Sequence, residues 1–261
     1  MEDTAFPEPD VDHDADAYRR RIRIVTVARG CVVSALEDDF HHFVVTLEHD
    51  EAVVTACRAE AHRWPWSTCP DAGAVLAELV GMPLAPRFTA VASVTDPRRN
   101  CTHQLDAATL AITHATSGRS RRQYDAEIPV PDAEGRACHR LWVDGTLDLA
   151  WTLRAGDGPV DLRAPFSAAP WKGGFMRWAD ATLEPDAAER AIVLRRASDI
   201  GMGRNMQSVL DGYTTAEALA PIMAGVCFTM QPSEMPIALR KRGDALDFAA
   251  HPDRLLASGP S

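Results

Sequence analysis

The residues with the clearest chemical potential are Cys101 and His103, which flank Thr102 at the start of a predicted helix. A cysteine at a helix N-terminus lies near the positive end of the helix dipole, which favours the thiolate and predicts a reactive thiol. Two residues correspond to about 200° of rotation on a regular helix, so the two side chains diverge and do not form a self-contained catalytic pair. We therefore expect both residues to act with partners from elsewhere in the chain, which they can share if Cys101 lies in the non-helical cap.

Two other segments offer such partners. Cys69 ends an aromatic loop that contains Trp66, and His41 lies beside His42 at the start of a predicted strand. Together these segments give a set with the ligand types of a tetrahedral zinc site: His41, Cys69, Cys101 and His103. The ligands are scattered singly, whereas structural zinc sites usually draw them in closely spaced pairs. Three interpretations remain open: structural thiols and imidazoles, a zinc site, or a metal-free site that binds and converts a substrate.

Several other polar residues are weaker candidates. Asp148 lies in a predicted strand and could act as a general base, although the alternation of that strand favours a solvent-facing carboxylate. Tyr124 is a candidate proton donor. Lys172 precedes two glycines that let a backbone approach a ligand, in a segment that otherwise indicates a loop. His139, before a predicted hairpin, is interpreted as a surface histidine.

Composition and charge narrow the class of protein. The chain has 261 residues, 46% hydrophobic and 25% charged, as is usual for a globular protein of one large domain or two small ones. Its formal net charge of -10 makes nucleic acid an unfavourable partner. Two basic runs, Arg19–Arg21 and Arg119–Arg122, have acidic neighbours and are interpreted as solvated surface.

The sequence favours a cytoplasmic location. Residues 1–16 are acidic and lack the basic and apolar regions of a signal peptide. No apolar run approaches the roughly 18–20 residues of a membrane helix, so a membrane is not an expected partner. None of the six cysteines forms a CxxC pair, and in a reducing compartment they are expected to be free thiols, core residues or ligands.

Hydrophobic patterning predicts an α+β fold, in which helices pack on a curved antiparallel sheet and the C-terminal third is mostly helical. Four short strands between residues 18 and 62 predict a meander. Helices are predicted over residues 71–81, 101–114 and 186–197. Asp144-Gly145 lies between two alternating segments and predicts a hairpin with a type I′ turn.

The composition along the chain also predicts the domain organisation. We expect a disordered acidic leader at residues 1–16, a single α+β domain at residues 17–256 and a tail at residues 257–261. Residues 119–136 are polar and carry two prolines and a glycine, so they predict a long loop or a sub-domain boundary.

Four motifs follow one another along the first part of the chain: His41-His42-Phe43, Pro65 to Cys69, Leu79-Val80-Gly81 and Cys101-Thr102-His103. In order and spacing they resemble the bacterial family catalogued as domain of unknown function 2889, from Tyr18 to about Ser117, which is about two-fifths of the chain. Asn100 replaces the usual Gly of that family and Gln104 its usual Leu. The resemblance implies that His41, rather than His42, belongs with Cys69, Cys101 and His103. The family has no assigned reaction to carry over.

We expect a cofactor-independent enzyme that performs lyase or isomerase acid–base chemistry on an apolar or aromatic small molecule. The catalytic candidates are His41, Cys101, His103, Asp148 and Tyr124, and the candidate substrate contacts are Cys69, Trp66 and Lys172. Signatures of nucleotide-cofactor enzymes, P-loop enzymes, zincins and α/β-hydrolases do not occur. The alternative is a non-enzymatic ligand- or partner-binding protein with a structural Cys/His cluster, with or without zinc. Both leave a homo-oligomer open.

Overall fold

The structure is a computed structural model that describes residues 6, 8–9, 16–154, 158–160 and 162–257. In this part of the chain one antiparallel sheet contains β1 (Ala17–Ala28), β2 (Cys31–Asp38), β3 (His42–His49), β4 (Val54–Arg63), β5 (Arg121–Pro129), β6 (Arg136–Val143), β7 (Thr146–Arg154) and β8 (Gly158–Pro159). The α-helices are α1 (Thr102–Ser117), α2 (Phe175–Thr182), α3 (Pro185–Gly201), α4 (Gln207–Leu210) and α5 (Ala220–Met223). Shorter 3-10 helices lie at Pro70–Leu79, Phe88–Ser93, Pro97–Arg99, Phe166–Ala168, Arg204–Met206, Ala216–Leu219 and Pro252–Arg254.

The sheet consists of two meanders joined along their first strands. Its order is β4-β3-β2-β1-β5-β6-β7-β8, so the chain returns after α1 to pair β5 with the free edge of β1. Among the described residues, β4 and β8 form the two edges of the sheet and do not pair with each other. Helix α1 packs on β1, β2 and β3, and helix α3 packs on β1, β5, β6 and β7. The predicted α+β fold and the helical C-terminal part are confirmed.

The main core lies between the sheet and these two helices. From β1 it takes Tyr18, Ile22 and Ile24, which alternate along the strand and so share one face. The end of α3 approaches this face closely at Gly201. A Cβ at that position would lie 2.8 Å from Tyr18 Cδ1 and 2.9 Å from the Ile128 side chain. Glycine at this position therefore lets the helix end lie directly on β1 and β5.

The elements with strong local signals form as predicted. Asp144 has φ 49° and Gly145 has φ 81°, as a type I′ turn between β6 and β7 requires. Helix α1 begins at Thr102 and ends at Gly118, whose φ of 70° provides the left-handed cap. The helix predicted over residues 71–81 is instead a 3-10 helix.

The interpretation of Arg19–Arg21 as solvated surface is wrong, because both faces of β1 are covered. Arg19 and Arg21 lie on the face opposite the helices and are directly opposed to Glu127 and Asp125 of β5, with which they form ion pairs of 2.5 Å and 2.6 Å. Segment 248–256 covers this polar layer, where carbonyl oxygens accept hydrogen bonds from both arginines. Alternation therefore places the charges in a second buried layer instead of in solvent.

The interval 119–136 is not a long loop, because half of it forms β5 at the centre of the sheet. Its pairing with β1 runs from Ala17 opposite Pro129 to Val25 opposite Arg121. The sequence does not identify this strand, because one of its faces is polar or charged up to Pro129 and the other carries only three apolar residues: Tyr124, Ala126 and Ile128. The two meanders thus share a continuous central ladder.

The predicted leader and tail lie largely outside the described residues. Residues 1–5, 7 and 10–15 of the leader and 258–261 of the tail fall there. Of the leader residues that are described, Glu8 forms an ion pair with Arg21, and the Phe6 ring lies 4.9 Å from the Arg23 guanidinium.

Candidate acid–base site

The candidate site begins with Asp38, the last residue of β2, which shapes the turn into β3. Its Oδ1 accepts hydrogen bonds from the backbone N–H groups of Phe40 at 2.8 Å and His41 at 2.9 Å. An aspartate that binds the backbone N–H groups of the residues following it stabilises a tight turn. This turn places the His41 side chain back over the Asp38 carboxylate.

The Asp38 carboxylate is fully buried and is fixed from both sides. Its Oδ2 accepts hydrogen bonds from Tyr18 Oη at 2.7 Å and from Arg20 Nη2 at 2.7 Å. Burial alone would raise the pKa of the Asp38 carboxyl, but its interactions with His41 and Arg20 hold that pKa well below its usual range. Asp38 is therefore an anion at neutral pH.

His41 receives its orientation from this anion. His41 Nδ1 lies 2.9 Å from Asp38 Oδ1. An ionised carboxylate only accepts hydrogen bonds, so Nδ1 must carry the proton. In the neutral ring, Nε2 is then the unprotonated nitrogen and the acceptor. The arrangement is an Asp–His dyad of the kind that prepares an imidazole as a base.

His103 lies in the first turn of α1 and stacks on His41. The ring centroids are 3.7 Å apart and the ring planes differ by 23°. Burial, together with the nearby His41 and Arg20, lowers the pKa of His103 well below its usual value, so this ring is neutral at pH 7. Its Nε2 is buried and has no hydrogen-bond partner in the described part of the chain.

Cys101 and Cys69 lie in a neighbouring apolar cluster. Cys101 is the N-cap of α1, with φ −68° and ψ 123°, and it packs with Cys69, Trp66 and Phe43 against residues of the C-terminal region. The expected depression of the Cys101 pKa by the helix N-terminus is wrong, because burial raises that pKa well above its ordinary value. Burial also raises the pKa of the Cys69 thiol to about 11.

Of the four residues predicted to converge, the structure brings together His41 and His103, and it adds Asp38 to them. Within the described residues, Asp38, His41 and His103 are the group whose potential ligand atoms all lie within 4.8 Å of one another, and neither cysteine joins it. Two imidazoles and a carboxylate are suitable ligands for zinc or iron. The two rings are nearly parallel, so their in-plane lone pairs run side by side, and a shared ion would require a ring to rotate.

The remaining predicted residues lie apart from this group. Asp148 is on β7, five strands from β3, and pairs with Arg190 at 3.0 Å. Tyr124 is buried on β5 and donates a hydrogen bond to Glu189. Lys172 is exposed and lines a pocket of about 150 Å³ that contains none of Asp38, His41 and His103.

Sequence reasoning missed Asp38, Tyr18 and Arg20. The available signal was the position of Asp38, three residues before His41 at the acidic end of a strand. The connection between the two strands is short enough for the carboxylate to reach the imidazole. Tyr18 and Arg20 carry no local signal, because their contact with Asp38 depends on the pairing of β1 with β2.

A family comparison covers this part of the chain. Residues 12–117 match the model of a family described as a protein of unknown function, DUF2889, so the resemblance noted from the sequence is confirmed over that range. The matched segment contains Asp38, His41, Cys69, Cys101 and His103. No curated protein matches the chain. Among the described residues, no helix combines the length and apolar character needed to span a bilayer.

Proposed function

We propose that the protein is an enzyme that performs acid–base chemistry, of the lyase or isomerase type, on a small apolar or aromatic molecule. In this reaction His41 Nε2 accepts a proton from the substrate, and Asp38 stabilises the imidazolium that forms. The observation that carries the proposal is the 2.9 Å contact between His41 Nδ1 and the Asp38 carboxylate, which selects the tautomer a base requires.

The fixed surroundings of Asp38 support this role. Besides His41 Nδ1, its oxygens accept hydrogen bonds from two backbone N–H groups, one phenol and one guanidinium. A carboxylate held in this way does not have to reorganise when positive charge develops on the imidazole, and such preorganisation lowers the barrier to proton transfer. Asp38 is a positioning residue, since it acts through His41.

The neighbouring rings support an apolar or aromatic substrate. The Phe40 and Phe43 rings each lie 6.1 Å from the His41 ring, centroid to centroid. Leaving a buried polar atom unsatisfied costs about 1–3 kcal/mol, and the His103 Nε2 atom is in that state. A substrate hydrogen bond to His103 would offset this cost and would orient the reacting group beside His41.

Proton abstraction can be tested without knowledge of the natural substrate. We would follow deuterium incorporation from D2O next to the carbonyl group of a panel of aryl ketones and aldehydes by proton NMR. A general base contributes roughly 10²–10⁴-fold, so His41→Gln should lower the exchange rate at least about 100-fold. Asp148→Asn serves as the control for a polar substitution remote from the dyad. Exchange by the wild-type protein no faster than by His41→Gln, across the panel, contradicts the proposal.

The alternative is a non-enzymatic ligand- or partner-binding protein in which this group stabilises the fold, with or without zinc. The low exposure of His41, at 8%, and of His103, at 7%, favours it. Elemental analysis separates the two proposals. Stoichiometric zinc, and a melting temperature that falls on chelation, would support a structural site. Metal-free protein with exchange that depends on His41 would support the enzyme.

The remaining parts of the proposal concern compartment and partners. We place the protein in the cytoplasm, where reducing conditions suit the six free cysteines. The proposed partner is a small molecule, not nucleic acid or a membrane. Light scattering on a sizing column tests whether the protein forms a homo-oligomer.

A further inference from the structure

A second pocket lies on the other half of the sheet, where β6 and β7 meet the end of α3. It has a volume of about 180 Å³, and its walls are mostly apolar, with Ile128, Ala137, Leu153 and Met202 among them. None of its lining residues belongs to the group of Asp38, His41 and His103. The pocket is therefore a separate feature of the molecule.

One polar side chain in this pocket is deeply buried. His139 of β6 is 2% exposed, so its interpretation as a surface histidine is wrong. The alternation of β6 turns it inward beside Ala137 and towards α3. Its Nδ1 lies 2.8 Å from Ser198 Oγ, and no hydrogen bond reaches its Nε2 from the described residues. The imidazole is thus a buried polar group beside the apolar side chains that line the pocket.

The tautomer of His139 follows from Ser198. The hydroxyl of Ser198 has a single proton, which it donates to the Leu194 carbonyl oxygen at 2.8 Å. His139 Nδ1 must therefore be the donor to Ser198 Oγ. Burial lowers the pKa of His139 to about 4, so the ring is neutral at pH 7. Nε2 is left as an unprotonated acceptor, which requires a donor from the occupant of the pocket.

The charge of the pocket favours a neutral ligand. Arg204 also lines the pocket, and its guanidinium forms ion pairs with Asp247 at 2.9 Å and with Asp39 at 3.5 Å. Asp247 and, at 3.7 Å, Asp16 already face the cation, so a ligand carboxylate or phosphate would compete with these two side chains for it. An ionised carboxylate, which only accepts hydrogen bonds, would also lack the proton that His139 Nε2 requires.

The volume sets the size of the ligand. An apolar cavity of about 150 Å³ in another protein binds benzene, so a pocket of about 180 Å³ accommodates one six-membered ring with a small substituent. We infer that this pocket binds a small neutral hydroxyl compound of the phenol class, whose hydroxyl donates to His139 Nε2 while its ring packs on Ile128, Leu153 and Met202. The inference is independent of the proposed acid–base function.

The test compares phenol with benzene, which lacks only the donor. Dissociation constants come from titration of the full chain, followed by protein-detected NMR. A net hydrogen bond is worth up to about 1.5 kcal/mol, so phenol should bind about tenfold more tightly than benzene. In His139→Phe this ratio should fall to about one. The matched control, His62→Phe, replaces an exposed histidine and should keep the tenfold preference.

A measurement on the wild-type protein keeps the test independent of the folding of any variant. Long-range ¹H–¹⁵N spectra should show His139 as the neutral Nδ1–H tautomer at pH 7, with an Nε2 shift that moves when phenol is added. Equal affinities for phenol and benzene, binding of neither, or an Nε2–H tautomer would overturn the inference. Turnover is not measured, so this result is separate from that of the deuterium-exchange experiment.

Discussion

Replacing Asp38 by Asn tests whether the buried carboxylate organises the candidate site. Asn keeps the size of the side chain, removes the negative charge that faces Arg20 and converts one acceptor oxygen into an N–H donor. Oδ2 accepts from Tyr18 and Arg20, and Oδ1 accepts from His41 and two backbone N–H groups. Either orientation of the amide therefore places donors against donors.

The expected cost follows from the burial of Arg20. Its side chain is 2% exposed and would remain charged without its partner. Removing one member of a buried ion pair costs about 3–5 kcal/mol, a large share of the roughly 5–15 kcal/mol that stabilises a domain. Tyr18→Phe removes the hydrogen bond that Tyr18 donates to Asp38 and the one that it accepts from Arg20 Nε, and it should cost about 1.5–3 kcal/mol. Asp148→Asn disrupts a half-exposed pair with Arg190 and should cost at most about 1 kcal/mol.

Urea unfolding at pH 7, followed by circular dichroism, gives these differences. Urea unfolding repeated over a range of pH values gives a second test. The pKa of Asp38 is lower in the folded protein than the value near 3.9 of an unfolded chain, so its stabilisation is present above that value and is lost as the pH falls. The wild-type free energy of unfolding should therefore decline below about pH 5 more steeply than that of Asp38→Asn.

Two results would refute this reasoning. One is a free energy of unfolding of Asp38→Asn within about 1 kcal/mol of the wild-type value at pH 7, since a buried guanidinium without its partner should destabilise the fold by more than that. The other is Tyr18→Phe no more destabilising than Asp148→Asn, and this comparison remains available if Asp38→Asn does not fold.

Three further predictions concern other parts of the molecule. Gly201→Ala should lower the free energy of unfolding by about 1–3 kcal/mol in urea titrations, because the new methyl group overlaps Tyr18, and an unchanged midpoint would contradict the close helix–sheet contact. Native Cys101 should resist iodoacetamide at pH 7.5 while the partly exposed Cys31 reacts, as measured by peptide mass spectrometry. Rapid labelling of Cys101 would instead support the reactive thiol predicted from its position at the helix N-terminus. The pKa of His139 near 4 is below its unfolded value near 6.5, so its stabilisation is present above pH 6.5 and is lost as the pH falls. Relative to His139→Phe, the wild type should therefore lose about 2 kcal/mol between pH 7 and pH 5, and parallel pH profiles would argue against a buried neutral imidazole.

The elements that could be predicted from the sequence are those set by neighbouring residues. The Asp144-Gly145 turn and the C-cap of α1 at Gly118 need backbone angles that few residue types adopt, so a motif of one or two residues identifies them. His41 and His103 lie in different elements and meet only through the packing of α1 on β2 and β3, so local patterns cannot show their contact. The family resemblance indicated His41 as the partner.

The failures at Arg19, Arg21 and His139 concern burial on both faces of the sheet. Arg19 and Arg21 alternate with apolar residues, which is the usual pattern of a strand with one wet face. Nothing local shows that Glu127 and Asp125 lie directly opposite them or that segment 248–256 covers the result. His139 was misjudged for the same reason, since α3, which buries it, follows much later in the chain.

The arginine layer on β1 also bears on how the chain reaches its native state. The backbone carbonyl of Leu255, which accepts a hydrogen bond from Arg21, is 234 positions further along the chain. The segment that covers this face of β1 is therefore synthesised long after the strand itself. If this uncovered face were apolar, a partly folded chain would be prone to self-association, because exposed hydrophobic surface makes folding intermediates aggregate. Here the uncovered face of β1 and β5 carries guanidinium and carboxylate groups, which are well hydrated in water. We therefore expect the polar layer to limit self-association of a partly folded chain until residues 248–256 dock.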